Sequence, residues 1–372
     1  MIDGSLSQPE KIDWLRLSRS ENVGPITFHQ LIGRYGSAAA ALAALPELAE
    51  RGGRGRPLRI ASKGDAEREL AAAERMGAMI VAHAEPAYPP LLAEIDDAPP
   101  LITLLGDPAL AARPCVAMVG ARNASANGRR FAETLARDLA NAGWVVVSGL
   151  ARGIDAACHQ GALANGTIAA IAGGIDVVYP PEHADLQAEI GKRGALITEA
   201  PFGTQPAARH FPRRNRLISG MSSGVIVVEA ALRSGSLITA RFAGEHGRDV
   251  FAVPGSPLDP RCRGTNGLLR EGAYLVEEAG DVLAVLKPLT RGFAEPNGDR
   301  YLGETGIDPG QAELKRARAI VLELLDPHPV DIDEVLRRCQ LSRAIVLTVL
   351  LELELAGRLE RHPGNRVSLL IS

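Results

Sequence analysis

Six short apolar runs mark the middle of the chain: CVAMVG (115–120), WVVVSG (144–149), TIAAIAGG (167–174), ALITEA (195–200), GVIVVEA (224–230) and DVFAVPG (249–255). They are rich in Val, Ile and Ala, show little alternation, and mostly end in Gly. Strands covered on both faces read this way, because neither face needs polar positions. Between them lie helical patterns at 128–142, 153–165, 184–193, 212–222 and 235–247. Strand–helix repetition of this kind predicts an α/β core with a doubly wound parallel sheet.

The two ends follow a different period. Residues 8–50 predict helices around a Gly-containing turn, and NVGPITFHQLI followed by RYGS has the form of a helix-hairpin-helix. Such a hairpin either offers backbone N–H groups to phosphates or packs as a helical module on a neighbour. RGGRGRPLRIASKGD (51–65) predicts a linker whose cations suit an acidic partner. Residues 289–311 are rich in Gly, Pro and charge without periodicity and predict a flexible linker. Three helical patterns and the wing-like RLERHPGNRVSLL then give 312–372 the order of a winged helix. The expected domains are therefore 1–65 with its linker, a core at 66–288, a linker at 289–311 and a terminal domain at 312–372.

Composition removes several classes. A formal charge of −3 means that any polyanion site must be a local concentration of cations. The four cysteines, Cys115, Cys158, Cys262 and Cys339, form no CxxC pair and give no metal-ligand spacing, so no metal and no cofactor is expected. The start MIDGSLSQPEKID lacks the charged head and apolar run of a signal peptide, and no stretch approaches the ~20 apolar residues of a membrane span. A cytoplasmic protein is expected. The first strand runs into GARNASANG instead of GxGxxG, and the second ends in Ser148 and Gly149 where a dinucleotide protein places an acid. His159, His183, His210 and His246 sit in no nucleophile or metal motif.

Ligands of doubly wound folds bind at the carboxyl ends of the strands. The loops and helix starts at that edge collect Arg122, Arg129, Arg130, Arg152, Arg209, Arg213, Arg214 and Arg216. Cations at helix N-termini oppose the macrodipole by about 0.3–1 kcal/mol each. An external anion across those ends compensates; the alternative is internal ion pairing to residues such as Glu199 or Glu229. Phe211 beside the cluster suits base stacking, or else simple core packing.

The motifs VGARNASANGRRFAETLA, VVVSGLARGIDAACHQGAL, GGIDVVYPPEHADL, FPRRNRLISGMSSGVIVVEAALRSGSLITA and GRDVFAVPGSPLDPRCRGTNGLLREGAYLV closely resemble, in order, the core of the DNA-processing protein A (DprA/Smf) family over about 82–280. The resemblance implies an extended Rossmann-like core, an N-terminal helix-hairpin-helix/SAM-like domain and a C-terminal winged helix. It implies a homodimer that binds single-stranded DNA without catalysis, protects incoming strands and loads RecA recombinase in natural transformation. Matched by position, Gly120 and Arg122 fall in the family's first DNA-contacting loop. Phe211, Arg214, Asn215 and Arg216 fall in its FPxRNR segment. With Ser125, Ser148, Arg152, Arg209 and Arg213 these make up the expected contact set. Many members carry Lys where this chain has Pro181 and Ala208. Leu268, Leu269 and Tyr274 lie at the end of the sheet through which the family dimerises. The rival reading is a nucleotide-binding or nucleotide-cleaving enzyme of the lysine-decarboxylase-like group, whose PGGxGTxxE motif corresponds to LRSGSLITAR, without its glutamate. Residues 312–372 balance nine Lys/Arg with nine Asp/Glu. Glu352 and Glu354 on the presumed recognition helix would repel a phosphate backbone. That domain is expected to bind a protein or pack on the core rather than read duplex DNA.

Overall fold

In the computed structural model of the chain, residues 5–290, 311–362 and 364–370 are described. Four helices come first: α1 (Gln8–Arg19), α2 (Pro25–Tyr35), α3 (Ala38–Arg51) and α4 (Lys63–Met76). Ser7 and Glu10 close a capping box at the start of α1. Pro25 occupies the first turn of α2, and Gly36, at φ +74°, ends it in the left-handed region that favours glycine.

The α/β core follows with β1 (Met79–Ala82), α5 (Pro90–Ala93), β2 (Leu101–Gly106), β3 (Cys115–Val119), α6 (Ala126–Asn141) and β4 (Val145–Ser148). Next come α7 (Ile154–Ala162), β5 (Thr167–Ala170), α8 (Ala184–Arg193), β6 (Ala195–Thr198), α9 (His210–Gly220) and β7 (Gly224–Val227). It closes with α10 (Ser236–Glu245), β8 (Asp249–Ala252), α11 (Arg263–Arg270), β9 (Tyr274–Leu275) and α12 (Ala279–Thr290). All six predicted strands and the five helices between them are present, within four residues of the expected bounds.

The strands form one sheet in the order β1-β2-β6-β5-β4-β3-β7-β8-β9. From β6 to β9 every pairing is parallel, while β1 and β2 join antiparallel at the β6 edge. The chain leaves β3 in one direction through β4, β5 and β6, then returns to place β7 on its other side. The switch point thus lies between β3 and β7. Side chains alternate across the sheet: Ala117 and Val119 face a core with Leu217 and Ile218 of α9, whereas Val116 and Met118 face one with Leu135 of α6 and Ile154 of α7. Apolar demand on both faces is why these runs carry no polar alternation.

The remaining elements are α13 (Gln311–Leu324), β10 (Val330–Asp331), α14 (Ile332–Cys339), α15 (Arg343–Leu355), β11 (Leu359–His362) and β12 (Arg366–Leu369). The small sheet runs β10-β12-β11, antiparallel throughout, and the order of elements is that of a winged helix. Of the linker expected at 289–311, residues 291–310 lie outside the described residues, and its ends belong to α12 and α13.

By compactness the chain groups into two units. One compact unit runs from Glu69 through α12; the other joins Ser7–Arg68 to α13 and all that follows. The two ends of the chain form one helical body, so the winged helix packs on the N-terminal module. Leu351 and Leu355 of α15, and Ala356 just after it, are buried outside the winged-helix core proper. Asn22 Nδ2 donates to the Leu355 carbonyl at 3.1 Å, and the Arg358 guanidinium to that of Gly52 at 3.4 Å. A Cβ at Gly52 would overlap the Glu352 carbonyl, so α3 and α15 meet backbone to backbone. Glu352, expected with Glu354 to repel a phosphate backbone, is instead fully buried on Arg318, and Glu354 holds Arg361 at 2.7 Å. Of the arginines of 51–65, Arg54 turns inward onto Glu21 at 2.7 Å, while Arg56 reaches the same carboxylate at 2.7 Å from the surface.

Candidate nucleic-acid interface

The carboxyl ends of β3, β4 and β5 open into a cleft lined by Arg122, Leu150, Arg152, Tyr179, Phe211 and Arg214 among others. Glycines set the course of the backbone beneath it. Gly153, at φ +81°, starts α7 directly under the first loop, where a Cβ would meet the Arg122 carbonyl at 2.6 Å. Gly120 packs as closely, its Cβ direction ending 2.6 Å from Ile154 Cγ1, so its contribution to the loop is close packing. Leu150 holds φ +56° without being glycine, and its carbonyl receives His183 Nδ1 at 3.0 Å. A strained non-glycine residue costs about 1–3 kcal/mol and persists only where its surroundings fix it.

An aromatic and cationic cluster occupies the cleft. The Phe211 ring has the Arg122 guanidinium 5.1 Å away, that of Arg214 at 5.9 Å and the Tyr179 ring at 5.9 Å, tilted 54°. Phe211 is half-buried, while Tyr179 and Val178 are exposed. Part of the Phe211 ring is therefore open to the cleft. Tyr179 is not in the expected contact set, although it lies in the GGIDVVYPPEHADL motif; an aromatic before proline was the available signal.

The arginines divide into two sets. Arg122, Arg129, Arg130, Arg152, Arg209 and Arg213 are exposed. Arg152 pairs with Glu182 at 3.3 Å, and Arg129 bonds the Ala124 carbonyl at 3.4 Å. Arg122, Arg130, Arg209 and Arg213 make no ion pair among the described residues. No acid lies in the first turn of α9, and its N-cap, Arg209, supplies no side-chain bond. That end carries Arg209 and Arg213 uncompensated, and burial together with these two cations lowers the pKa of His210.

Arg214 and Arg216, by contrast, are buried. Arg216 binds the Glu199 carboxylate and the Asp97 carbonyl. The internal-pairing alternative holds for this arginine, which corrects its placement among the outward contacts. Asn215 Nδ2 reaches the Gly235 carbonyl at 3.4 Å and tethers α10. Ser148 is fully buried and donates to the Met118 carbonyl at 2.6 Å, locking β4 to β3. Ser125 caps α6, accepting from Gly128 N at 2.8 Å while donating to Glu229. Apart from Arg214, which lines the cleft floor, these side chains face the fold, because each stands where a buried backbone or carboxylate group requires a partner.

The switch point is likewise filled from within. Glu229, just past β7, lies against the N-terminus of α6, where a dinucleotide fold holds a pyrophosphate. A Cβ on Gly128 would come within 2.6 Å of the carboxyl carbon. The protein supplies its own anion there, and the compensation demanded by Arg129 and Arg130 is partly internal. Two polar groups sit below the cleft floor. His159 Nδ1 meets Thr167 Oγ1 at 2.7 Å, and burial drives its pKa down to about 3. Asp155, missed in the sequence, faces Arg214. Among the described residues no helix is long and apolar enough to cross a membrane.

Comparison with known proteins places this geometry. The description DNA recombination-mediator protein A matches residues 79–287, a DprA-like N-terminal helix-hairpin-helix domain matches 8–72, and a DprA winged-helix domain matches 308–365. The chain is 39% identical over 286 residues to Protein Smf of Escherichia coli K12, covering 76% of this chain and 75% of that protein. The X-ray structure of DNA processing protein A from Streptococcus pneumoniae superimposes with a TM-score of 0.63 at 38% identity, over 76% of this chain and 99% of that one. A Helicobacter pylori DNA processing protein A, whose structure was described for its single-stranded-DNA binding mode, gives 0.52 at 30% identity, over 57% and 96%. The chain belongs to the DNA recombination-mediator protein A family, the DprA/Smf proteins.

Proposed function

We propose that the cleft binds single-stranded DNA without sequence preference and without chemistry. The observation that carries this reading is the set of exposed arginines around the Phe211–Tyr179 ring pair, with four of the cations free of acids among the described residues. Guanidinium groups follow a phosphate backbone, and a ring face accepts any base. A duplex hides its base faces, so the ring pair favours a single strand. The binding described for the Helicobacter relative supports the same ligand.

Recombinase loading is part of the same proposal, supported by membership of a mediator family: a protein that holds a strand through backbone and stacking contacts is suited to hand it to RecA. A homodimer is part of the reading. Strand β9 is a sheet edge with Tyr274 and Leu275 exposed, and Leu268 packs inward while Leu269 stays outside the core cluster. The test is fluorescence anisotropy with single-stranded, duplex and mononucleotide ligands over a salt series. A binder gains affinity with oligonucleotide length and loses it with salt. Saturation by a mononucleotide with release of a product would instead establish the nucleotide-processing enzyme.

A further inference from the structure

Arg214 lies in the segment that carries the interface and lines the floor of the cleft, yet its guanidinium is almost wholly buried. Its side chain is 6% exposed. Nη1 donates to the Ala170 carbonyl at 3.4 Å and lies 3.9 Å from Asp155 Oδ2, in a carboxylate that is itself buried. The same carboxylate receives the Ala151 N–H at 3.3 Å. Gly149 closes over this pair, and a Cβ there would overlap Arg214 Nη1. Three structural elements therefore converge on one charge: α9 supplies Arg214, α7 supplies Asp155, and the β4 loop lies across them. From this position the guanidinium reaches Phe211 from below at 5.9 Å, while the exposed Arg122 reaches it at 5.1 Å.

We infer that Asp155 and Arg214 are positioning residues for the interface: Asp155 holds the Arg214 guanidinium beneath the cleft, and Arg214 fixes the Phe211 ring and the Gly149–Arg152 loop without touching the DNA backbone. The inference rests on the single-strand reading above. It divides the arginines by role. Arg122 meets phosphate from outside, whereas Arg214 acts through a ring that meets the base. A buried charge with its partner intact keeps one geometry, since any departure leaves a desolvated ion unpaired. Such a pair suits a rigid platform whose ring must stand ready before the strand arrives.

The discriminating ligands are an oligothymidylate and an oligonucleotide of equal length made of abasic deoxyribose phosphates, each titrated over a salt series. Asp155→Asn combined with Arg214→Met removes both buried charges and keeps the bulk. This double variant should bind oligothymidylate about tenfold more weakly with the salt slope unchanged, and bind the abasic strand as the wild type does. Arg122→Ala should weaken both ligands and reduce the slope by about 0.7. Gly149→Ala displaces the guanidinium while every charge stays, and should behave as the double variant does. A slope lowered in the double variant, or equal losses on the two ligands, would make Arg214 a phosphate contact and overturn the inference. Unchanged binding by folded variants overturns it too. Loss of the fold in both variants assigns the pair to stability alone. Failure of the wild type to bind either strand would sink the single-strand reading itself, before the pair is tested.

Discussion

Glu229 accepts two hydrogen bonds from Ser125, one from its backbone N–H at 2.9 Å and one from its hydroxyl at 2.6 Å. The pair joins the loops after β3 and β7 across the switch point of the sheet. Ser125→Ala removes both the helix cap and one bond of the carboxylate, leaving it short of a partner inside the fold. The expected cost is roughly 1–2 kcal/mol of stability, read as a lower midpoint in urea, with unchanged affinity for single-stranded DNA. Weaker binding at unchanged stability would return Ser125 to the interface.

Phe211→Ala should cost roughly 1–3 kcal/mol of binding and leave the salt dependence alone, because stacking releases no counterions. Anisotropy and thermal unfolding separate the outcomes. A lower melting temperature at full affinity would assign the ring to packing.

The contact between α3 and α15 makes Gly52 a steric control point for the helical unit. Gly52→Ala drives a methyl group into the Glu352 carbonyl. Its φ of −68° suits any residue, so the whole effect is steric. Hydrogen exchange should quicken in α3 and α15, and the cleft should bind single strands as before. Protection left intact in α15 would show that the two ends are stable separately.

Introducing charge at the sheet edge tests the dimer. Leu269→Glu or Tyr274→Glu should yield a folded monomer by light scattering, with weaker binding to long oligonucleotides than to short ones relative to the wild type. A dimer that survives both changes lies elsewhere on the surface.

Buried His159 makes the core acid-sensitive. Its folded pKa of about 3 lies below the 6.5 of an ordinary histidine. The unfolded chain therefore binds the proton first. Stability is complete above about pH 6.5 and falls as the pH drops from there toward 3. Between pH 7 and pH 5 this one group removes about 2 kcal/mol. Denaturant titrations at the two pH values check it: His159→Leu should shrink the difference by about that amount, and an equal difference in both proteins would disprove the assignment.

Several parts of the molecule were legible in the sequence for local reasons. A strand covered on both faces is written in consecutive residues, as in WVVVSG, and a capped helix in a few more, as at Ser7–Glu10. The carboxyl-edge loops follow from chain order, so the arginine cluster could be placed before any coordinates. Strands β1 and β2 escaped because they join the sheet antiparallel at an edge, through a region without strand–helix alternation. Strand β9 is two residues long and carries no period at all.

The direction of each polar side chain was a different matter. FPRRNR reads as a row of equal cations, yet Arg213 faces water, Arg214 lies on Asp155 and Arg216 on Glu199. Those partners stand far away in the chain: Arg216 meets Asp97 across 119 residues, and Ser125 meets Glu229 across 104. The same holds for the ends, where Asn22 reaches Leu355 across 333 residues and makes one body of two segments that look independent. The sequence by itself determined the six central strands, the helices between them, their order and the edge at which cations collect, because hydrophobic period and chain connectivity are local. Only the tertiary structure decided which cations remain for a ligand, because a buried charge must find its partner in space, and distance in space is not recorded in distance along the chain.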